Sequence, residues 1–140
     1  MVEVYIDGAS AGNPGPSGAG IHIKHHGKAE SYSIPLGIKN NHEAEFLAFL
    51  FALKKCEEYQ FTIVSVRTDS QALVSAVEKG FVKRDQYKKI YDKIEQILRQ
   101  HELYFIKWIP GSENHIADAL ARKAIHLNEG SQSESSAESE

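Results

Sequence analysis

Four acidic residues stand where secondary-structure elements are expected to begin or end. Asp7 closes the first strand-like run, and Asp69 follows a nearly continuous apolar run that is typical of a strand buried on both faces. Glu45 and Asp118 lie in the first turns of two segments with helical periodicity. In an open α/β sheet, ligands bind beyond the carboxyl ends of the strands. If both helices start at that edge, the four carboxylates meet there.

Carboxylates that converge repel one another, and each raises the pKa of its neighbours. A divalent cation removes this cost, and ligation by acids and water alone suits Mg²⁺ or Mn²⁺. Two such ions about 4 Å apart can activate a water and stabilise the leaving oxygen when a phosphodiester is cleaved. The four acids therefore predict metal-dependent hydrolysis that needs no nucleophilic side chain.

Each acid also has an ordinary structural interpretation. An Asp after a strand often caps the next helix, so Asp69 by itself could be the N-cap of a helix that begins at Ser70. Glu45 and Asp118 by themselves could complement helix dipoles from the first turn. Asp7 is harder to explain in this way, because an acid at the end of a buried strand needs a partner. Four acids at matching ends of four elements favour a common site.

The elements that must position these acids follow from hydrophobic periodicity and turn signals. Their order is β-β-β-α-β-α-α-β-α, which predicts an α/β fold with a mixed five-stranded sheet flanked by helices. The first three strands are expected to be antiparallel, and the fourth and fifth to add in parallel. The predicted strands are Val2–Asp7, Ala19–His25, Ala29–Pro35, Phe61–Thr68 and Leu103–Ile109. The predicted helices are Glu43–Tyr59, Ser70–Lys79, Arg84–His101 and Asn114–Leu127.

Composition limits the classes of protein that fit. The chain has 140 residues, of which 41% are hydrophobic and 25% charged, as in an ordinary globular domain. No apolar run approaches the roughly 20 residues of a membrane span, and we see no signal region. The single cysteine, Cys56, excludes an internal disulfide framework and a cysteine-rich zinc site. We therefore expect a cytoplasmic monomer with no membrane association.

The chain is expected to divide into a catalytic domain over residues 1–127 and a tail over residues 128–140. The tail is rich in Ser and Glu and has no large apolar residue, so it cannot bury enough surface to offset the entropy of ordering. It is predicted to be disordered. Because the tail holds four glutamates and no Lys or Arg, the rest of the chain is close to neutral. Any basic surface for nucleic acid must therefore be local.

Four ordered sequence blocks resemble the type 1 ribonuclease H (ribonuclease HI) family. They are Tyr5–Pro16, Asn40-Asn-His-Glu-Ala-Glu45, Thr68-Asp-Ser-Gln71 and Asn114–Arg122. Each block alone is weak to moderate, whereas the ordered set is highly specific and spans residues 1–127 almost end to end. The resemblance implies a ribonuclease H-like fold and an endoribonuclease that hydrolyses the RNA strand of RNA–DNA hybrids. It also implies a two-metal-ion mechanism that leaves 5′-phosphate and 3′-hydroxyl ends.

By this resemblance, Asp7, Glu45, Asp69 and Asp118 match the catalytic, metal-binding acids of the family. Asp7 would bridge two Mg²⁺ ions, for which Mn²⁺ is an alternative. Glu45 and Asp69 would hold the ion beside the attacking water and the scissile phosphate. Asp118 would hold the more exposed ion near the leaving group.

The resemblance also implies which residues bind the RNA strand. Family members contact successive 2′-hydroxyls in the minor groove with backbone groups and small polar side chains. The matching substrate-binding positions are Ser10, Asn13, Asn41, His42 and Gln71. Asn13 before a proline also suits a turn, and Asn41 also suits a helix N-cap. His42 departs from the Asn or Gln that is commoner at its position.

Two features depart from the best-known bacterial pattern. The stretch Gly80–Lys89 is too short for the basic helix that forms a protruding handle in some members. The basic residues there either grip the phosphates of the DNA strand or form the solvated face of a helix. They are Lys79, Lys83, Arg84, Lys88, Lys89 and Lys93.

No histidine lies between Trp108 and Asn114, where many bacterial members carry an assisting one. This compact form resembles archaeal and retroelement-type members, and Trp108 itself is expected in the core.

Two other functions stay open. A catalytically weak nucleic-acid-binding module could have this fold without the handle, although the presence of all four acids argues against a loss of metal binding. A proofreading-type exonuclease on a related fold would usually carry Asp-x-Glu on its first strand, whereas this chain has Asp7-Gly8-Ala9. Cleavage assays on defined substrates discriminate these functions.

Overall fold

The computed structural model describes the backbone of residues 1–139 and the side chains of residues 1–128. The strands are β1 (Val2–Ser10), β2 (Gly15–His25), β3 (Lys28–Lys39), β4 (Val64–Thr68) and β5 (Tyr104–Trp108). The helices are α1 (Asn41–Glu58), α2 (Gln71–Lys79), α3 (Asp85–Gln100) and α4 (His115–Ser139). A short 3₁₀ helix, Gly111–Glu113, precedes α4. The element order is the predicted one.

The strands form one sheet in the order β3-β2-β1-β4-β5. The pairs β1–β2 and β2–β3 are antiparallel, and the pairs β1–β4 and β4–β5 are parallel. The predicted mixed five-stranded fold is therefore confirmed. In the parallel register of β1 and β4, Tyr5 is paired with Arg67. Asp7 and Asp69 each follow two residues later, so they lie at the same level of the sheet.

The main core lies between one face of the sheet and the helices α1 to α3. The strands contribute side chains that are almost completely buried, namely Val4, Ile6, Ile21, Ile23, Val64 and Val66. Phe49 and Leu53 of α1 and Ile94 of α3 belong to the same cluster. Because side chains alternate along a strand, Asp7 points to the opposite face, where α4 packs.

At the starts of α1 and α2, residues other than the predicted site residues act as the helix caps. Ser70 is the N-cap of α2, and its hydroxyl accepts a hydrogen bond from the backbone N–H of Leu73 at 3.1 Å. Asn40 is the N-cap of α1 and forms a capping box with Glu43. Neither Asp69 nor Asn41 is therefore needed as a cap, which removes the structural alternative for each of them.

The structure corrects the predicted course of the second and third strands. β2 begins at Gly15 rather than Ala19, and β3 runs to Lys39 rather than Pro35. The glycine- and proline-rich composition there is typical of a loop rather than of a strand. Pairing with neighbouring strands overrides it, since Ser17 pairs with Ser10 on one side and Gly15 with Lys39 on the other.

Two large apolar residues are exposed, and the expectation that one of them, Trp108, lies in the core is wrong. Trp108 is 42% exposed, because it ends the edge strand β5 and its indole N–H donates to the backbone carbonyl of Asp69 at 3.2 Å. Ile116 is 50% exposed, whereas Ala117 and Ala121 form the buried side of α4. The small alanines allow α4 to lie close to the sheet.

The handle is absent, as predicted, because only residues 80–84 separate α2 from α3. Among the described residues, no helix is long and apolar enough to cross a membrane. Asn128, the first residue of the predicted tail, is anchored: its side chain donates to Ser17 O at 2.7 Å and accepts from Gly37 N at 2.9 Å. The backbone of α4 continues to Ser139, but the side chains beyond Asn128 are not described, and the disorder of the tail stays a prediction.

Candidate active site

Helix α1 lies directly against the end of β1 and brings Glu45 to Asp7. Gly8 makes this approach possible, because a Cβ at that position would lie 2.3 Å from the carbonyl carbon of Ala44 and 2.5 Å from Glu45 N. Such distances are shorter than any normal contact, so only glycine fits. The first turn of α1 is thus held beside the residue that follows Asp7.

Helix α4 approaches from the other face in a similar way. Gly20 pairs with Asp7 across β1 and β2, and a Cβ on Gly20 would lie 2.2 Å from the carbonyl oxygen of Ala117. The backbone of α4 therefore rests on the strand next to Asp7. This contact places Asp118, the residue after Ala117, at the same edge of the sheet.

Asp7 is the acid whose ionisation is most strongly opposed. Burial raises its pKa from 3.8 to about 8, and the negative charge of Asp69 adds to the effect. A hydrogen bond with Asp118, together with the charges of Asp118 and Glu45, acts in the same direction. The structure thus brings the four predicted acids together at one edge of the sheet.

Glu45 is held by two side chains that favour its charged form. Burial raises the pKa of Glu45, whereas hydrogen bonds from Ser70 and His42 act against that rise. The His42 ring nitrogen Nδ1 lies 3.1 Å from Glu45 Oε1. The Ser70 hydroxyl therefore serves two elements at once, since it caps α2 and also reaches a carboxylate on α1.

Asp69 and Asp118 have different surroundings. Burial raises the pKa of Asp69, and hydrogen bonding from the side chain of Asn114 opposes this rise. Asp118 accepts a hydrogen bond from Arg122 Nε at 3.0 Å, one turn further along α4. Because both partners of this pair are partly exposed, Arg122 can leave Asp118 at little cost.

The donor set suits a hard divalent cation. It consists of four carboxylates, and burial raises the pKa of three of them, Asp7, Glu45 and Asp69, a penalty that a cation would reverse. Within residues 1–128, no three Asp, Glu, His or Cys side chains are already spaced as a metal cage. The chemistry of the acids therefore fits Mg²⁺ or Mn²⁺, and their role as metal ligands stays a prediction.

Comparison with known proteins identifies the family of this chain. The family model described as RNase H matches residues 1–126. The chain belongs to the RNase H family. The predictions of a ribonuclease H resemblance and of an enzyme of the nuclease class are therefore confirmed.

Relatives of this RNase H family chain match over most of their length. A ribonuclease H of Trichodesmium erythraeum is 32% identical, over 88% of this chain and 87% of its own. EbsB of Enterococcus faecalis, described only as a hydrolase, is 38% identical over 89% of this chain and 94% of its own. LC11-RNase H1, isolated from compost and solved with an RNA/DNA hybrid, has a TM-score of 0.84 and 29% identity. That match covers 91% of this chain and 99% of the solved one.

Three of the predicted substrate-binding residues lie around the junction of β1, β3 and α1. Asn13 and Asn41 are exposed, and Asn13 Oδ1 accepts a hydrogen bond from Asn41 N at 3.1 Å. Ser10 is partly buried at the end of β1, where its hydroxyl donates to Lys39 O at 2.8 Å. The structure thus gives Ser10 a role in joining β1 to β3, while Asn13 and Asn41 offer polar groups to a ligand.

The other two predicted substrate-binding residues lie on the helices. Gln71 is exposed at the start of α2, two residues after Asp69. His42 is exposed in the first turn of α1 and packs edge-on against Tyr87, with ring centroids 6.2 Å apart. All five predicted residues therefore lie on the elements that carry the acids or on the loops beside them, and their binding roles stay predictions.

The sequence analysis assigned no role to Ser70 or Asn114. In the structure, Ser70 hydrogen-bonds with Glu45, and Asn114 hydrogen-bonds with Asp69. Asn114 opens the block Asn114–Arg122, so its position in that motif was the available signal. Nothing comparable marked Ser70, because a serine at a helix start is explained by capping alone. Both residues were missed for the same reason, since their contacts cross between elements.

The raised pKa values predict how the stability of the metal-free RNase H fold depends on pH. The pKa of Asp7 is about 8 in the folded chain and roughly 3.9 when unfolded. The folded state therefore binds more protons between these values, so the free energy of unfolding should fall as pH rises through this range. Saturating Mg²⁺ should flatten the slope, because bound carboxylates stay ionised. Urea unfolding with EDTA or with Mg²⁺ measures the effect.

In the lower part of this pH range, the titration of His22 changes the free energy of unfolding in the opposite direction. Burial lowers the pKa of His22 below 6.5, so His22 makes stability rise with pH in that region. The decisive window is therefore about pH 7–8, where Asp7 still titrates. Stability that increases with pH in this window in EDTA would contradict the prediction.

Proposed function

We propose that this chain is an endoribonuclease that hydrolyses the RNA strand of RNA–DNA hybrids and leaves 5′-phosphate and 3′-hydroxyl ends. The observation that carries the proposal is the convergence of four acids where β1 and β4 end and α1 and α4 pack against the sheet, which also raises the pKa of Asp7 to about 8. Membership of the RNase H family supports the reaction class, and the solved hybrid complex of LC11-RNase H1 supports the substrate class.

The proposal assigns metal binding to Asp7, Glu45, Asp69 and Asp118. When bound, two divalent ions supply a water of lowered pKa and stabilisation of the leaving oxygen. The residues of the chain hold the carboxylates ready for this. Ser70 and His42 orient Glu45, and Arg122 neutralises Asp118 until substrate or metal displaces it.

The exposed polar residues beside the acids would contact the RNA strand. Asn13 and Asn41 are joined by a hydrogen bond, so they present their remaining amide groups in a fixed relation. His42 and Gln71 extend the same edge along α1 and α2. Groups of this kind can bind 2′-hydroxyls, which is how a protein distinguishes RNA from DNA.

The DNA strand would lie in the groove between α1, α2 and the segment 80–84. His42, Lys79, Lys83 and Arg84 line this groove, beside Phe81, which is 53% exposed. Lys88 instead pairs with Asp85 at 2.8 Å on the solvent side of α3. The phosphate grip is therefore assigned to Lys79, Lys83 and Arg84, and it should weaken with salt.

The proposal describes a monomer, since all four acids come from one chain and the site needs no second copy. A cytoplasmic location stays a prediction. The preference between Mg²⁺ and Mn²⁺ is left to the assay, because both ions accept oxygen ligands of this kind.

A cleavage assay tests the proposed function. The full chain is incubated with an end-labelled RNA–DNA hybrid, the same RNA as a single strand, and the same RNA as duplex RNA, each with Mg²⁺ or Mn²⁺. We expect internal cuts in the RNA strand of the hybrid only, with 5′-phosphate on the downstream product. EDTA should abolish them.

Other results would favour the competing functions. Trimming from the ends of every substrate would indicate an exonuclease. Binding of the hybrid without cleavage in either metal would indicate a nucleic-acid-binding module with this fold. Both outcomes would overturn the proposal.

A further inference from the structure

Asn114 is a buried polar residue at the start of α4. It is 1% exposed, and its side-chain Nδ2 donates to the backbone carbonyl of Ile6 at 2.8 Å. Its Oδ1 is buried and has no hydrogen-bond partner among the described residues. A buried amide oxygen without a partner costs free energy that an apolar side chain of similar size would not. Packing alone therefore does not explain an asparagine here.

The bond to Ile6 determines which way the amide faces. Because a carbonyl oxygen can only accept, the group that points to Ile6 must be the NH₂ of Asn114. Ile6 immediately precedes Asp7, so this bond ties the end of β1 to the start of α4. The hydrogen bond acts on the backbone beside Asp7 and does not involve the carboxyl oxygens of Asp7.

The backbone of Asn114 links the segments that carry Asp118 and Asp69. Its carbonyl oxygen accepts from Asp118 N at 3.1 Å, and its N–H donates to Gly111 O at 3.0 Å. Gly111 in turn lies beside Asp69, since a Cβ on it would be in ordinary van der Waals contact with Asp69 Oδ2, at 3.4 Å. The side chain of Asn114 also hydrogen-bonds with Asp69. One residue thus contacts the segments that carry Asp7, Asp69 and Asp118.

We propose that Asn114 is a positioning residue, which sets the spacing of Asp7, Asp69 and Asp118 by tying the end of β1 to the start of α4. The inference rests on the proposed function, because it concerns the same acids. Asn114 is buried behind them and acts through them. Its loss should therefore weaken metal binding and lower kcat, while KM for the hybrid changes little.

Two variants and one matched control test this role. Asn114→Leu keeps the volume and removes the amide, and Asn114→Ser keeps a residue that is favourable at a helix start. The control is Tyr104→Phe, which also removes a 2.8 Å hydrogen bond from a buried side chain to a backbone carbonyl, that of Phe61. Tyr104 is the first residue of β5, so it lies at the amino ends of the parallel strands, whereas the acids lie at their carboxyl ends.

Four quantities are measured on each protein: the midpoint of thermal unfolding in EDTA, the affinity for Mn²⁺ alone by calorimetric titration, and both kcat and KM on the hybrid. For each folded Asn114 variant we expect Mn²⁺ affinity and kcat to fall roughly 10- to 100-fold. KM should stay within about threefold. Tyr104→Phe should lose thermal stability and keep both metal affinity and kcat.

The outcomes separate this inference from the function on which it rests. If the unmodified chain neither binds Mn²⁺ nor cuts the hybrid, the proposed function is wrong. If the unmodified chain does both, and a folded Asn114 variant loses only stability, as Tyr104→Phe does, the positioning role is wrong. Because the serine variant keeps a favourable start to α4, the test does not depend on the leucine variant folding.

Discussion

Replacing Asp7 with Asn should lower the rate of hybrid cleavage by roughly a thousandfold or more, while the protein stays folded. Asp7 is the acid that all three others approach, so its charge is central to any metal held between them. In EDTA at about pH 8, the variant should be more stable than the unmodified chain by roughly 1–3 kcal/mol. The reason is that Asn removes a buried acid whose ionisation the fold opposes. Steady-state cleavage and urea unfolding measure the two effects.

Glu3→Gln is the matched control for this substitution. Glu3 lies on the same strand and the same face as Asp7, and it pairs with Arg67 at 2.6 Å away from the acids. Loss of this partly exposed pair should cost at most about 1 kcal/mol and leave cleavage unchanged. An Asp7→Asn chain that kept more than about a tenth of the activity would rule out the assigned role.

Replacing Gly20 with Ala should destabilise the fold by about 3 kcal/mol or prevent folding. The added Cβ would lie 2.2 Å from the carbonyl oxygen of Ala117 and 2.6 Å from Ala121 N, both of them backbone atoms of α4. Rotation of a side chain cannot relieve such an overlap, so α4 must move away from β2. Since Asp118 follows Ala117, any folded fraction should also cleave more slowly. Thermal and urea unfolding measure the loss.

Gly27→Asn serves as the control for the glycine substitution. Gly27 lies in the β2–β3 turn, where a Cβ meets nothing within 4 Å, and its φ of 74° is one that asparagine tolerates. We expect a change within about 1 kcal/mol and unchanged cleavage. A Gly20→Ala chain as stable as the unmodified protein would show that α4 does not depend on this close approach.

The positions of Asp7 and Asp69 could be predicted from sequence patterns. Asp7 and Asp69 end strands, and both strand runs are visible locally as apolar or alternating residues. The parallel pairing of β1 with β4 then follows from general rules of α/β sheets, and it makes the two acids neighbours. The candidate site was therefore predictable without coordinates.

Other features could not be read from local patterns. The first residues of β2 have the composition of a loop and form a strand only because β1 and β3 lie on either side of them. Trp108 is large and apolar, as core residues are, but it is exposed because it ends β5, the strand at the edge of the sheet. In both cases, partners distant along the chain decide the outcome.

By itself, the sequence determined the order of the elements, the four acids at their ends and the absence of a handle, since these depend on residues close together in the chain. The tertiary structure alone decided that Asp7 has a pKa of about 8, that Ser70 reaches Glu45, and that Asn114 ties the end of β1 to the start of α4. Burial and charge interactions depend on distances in space, and those distances exist only once the helices have packed on the sheet.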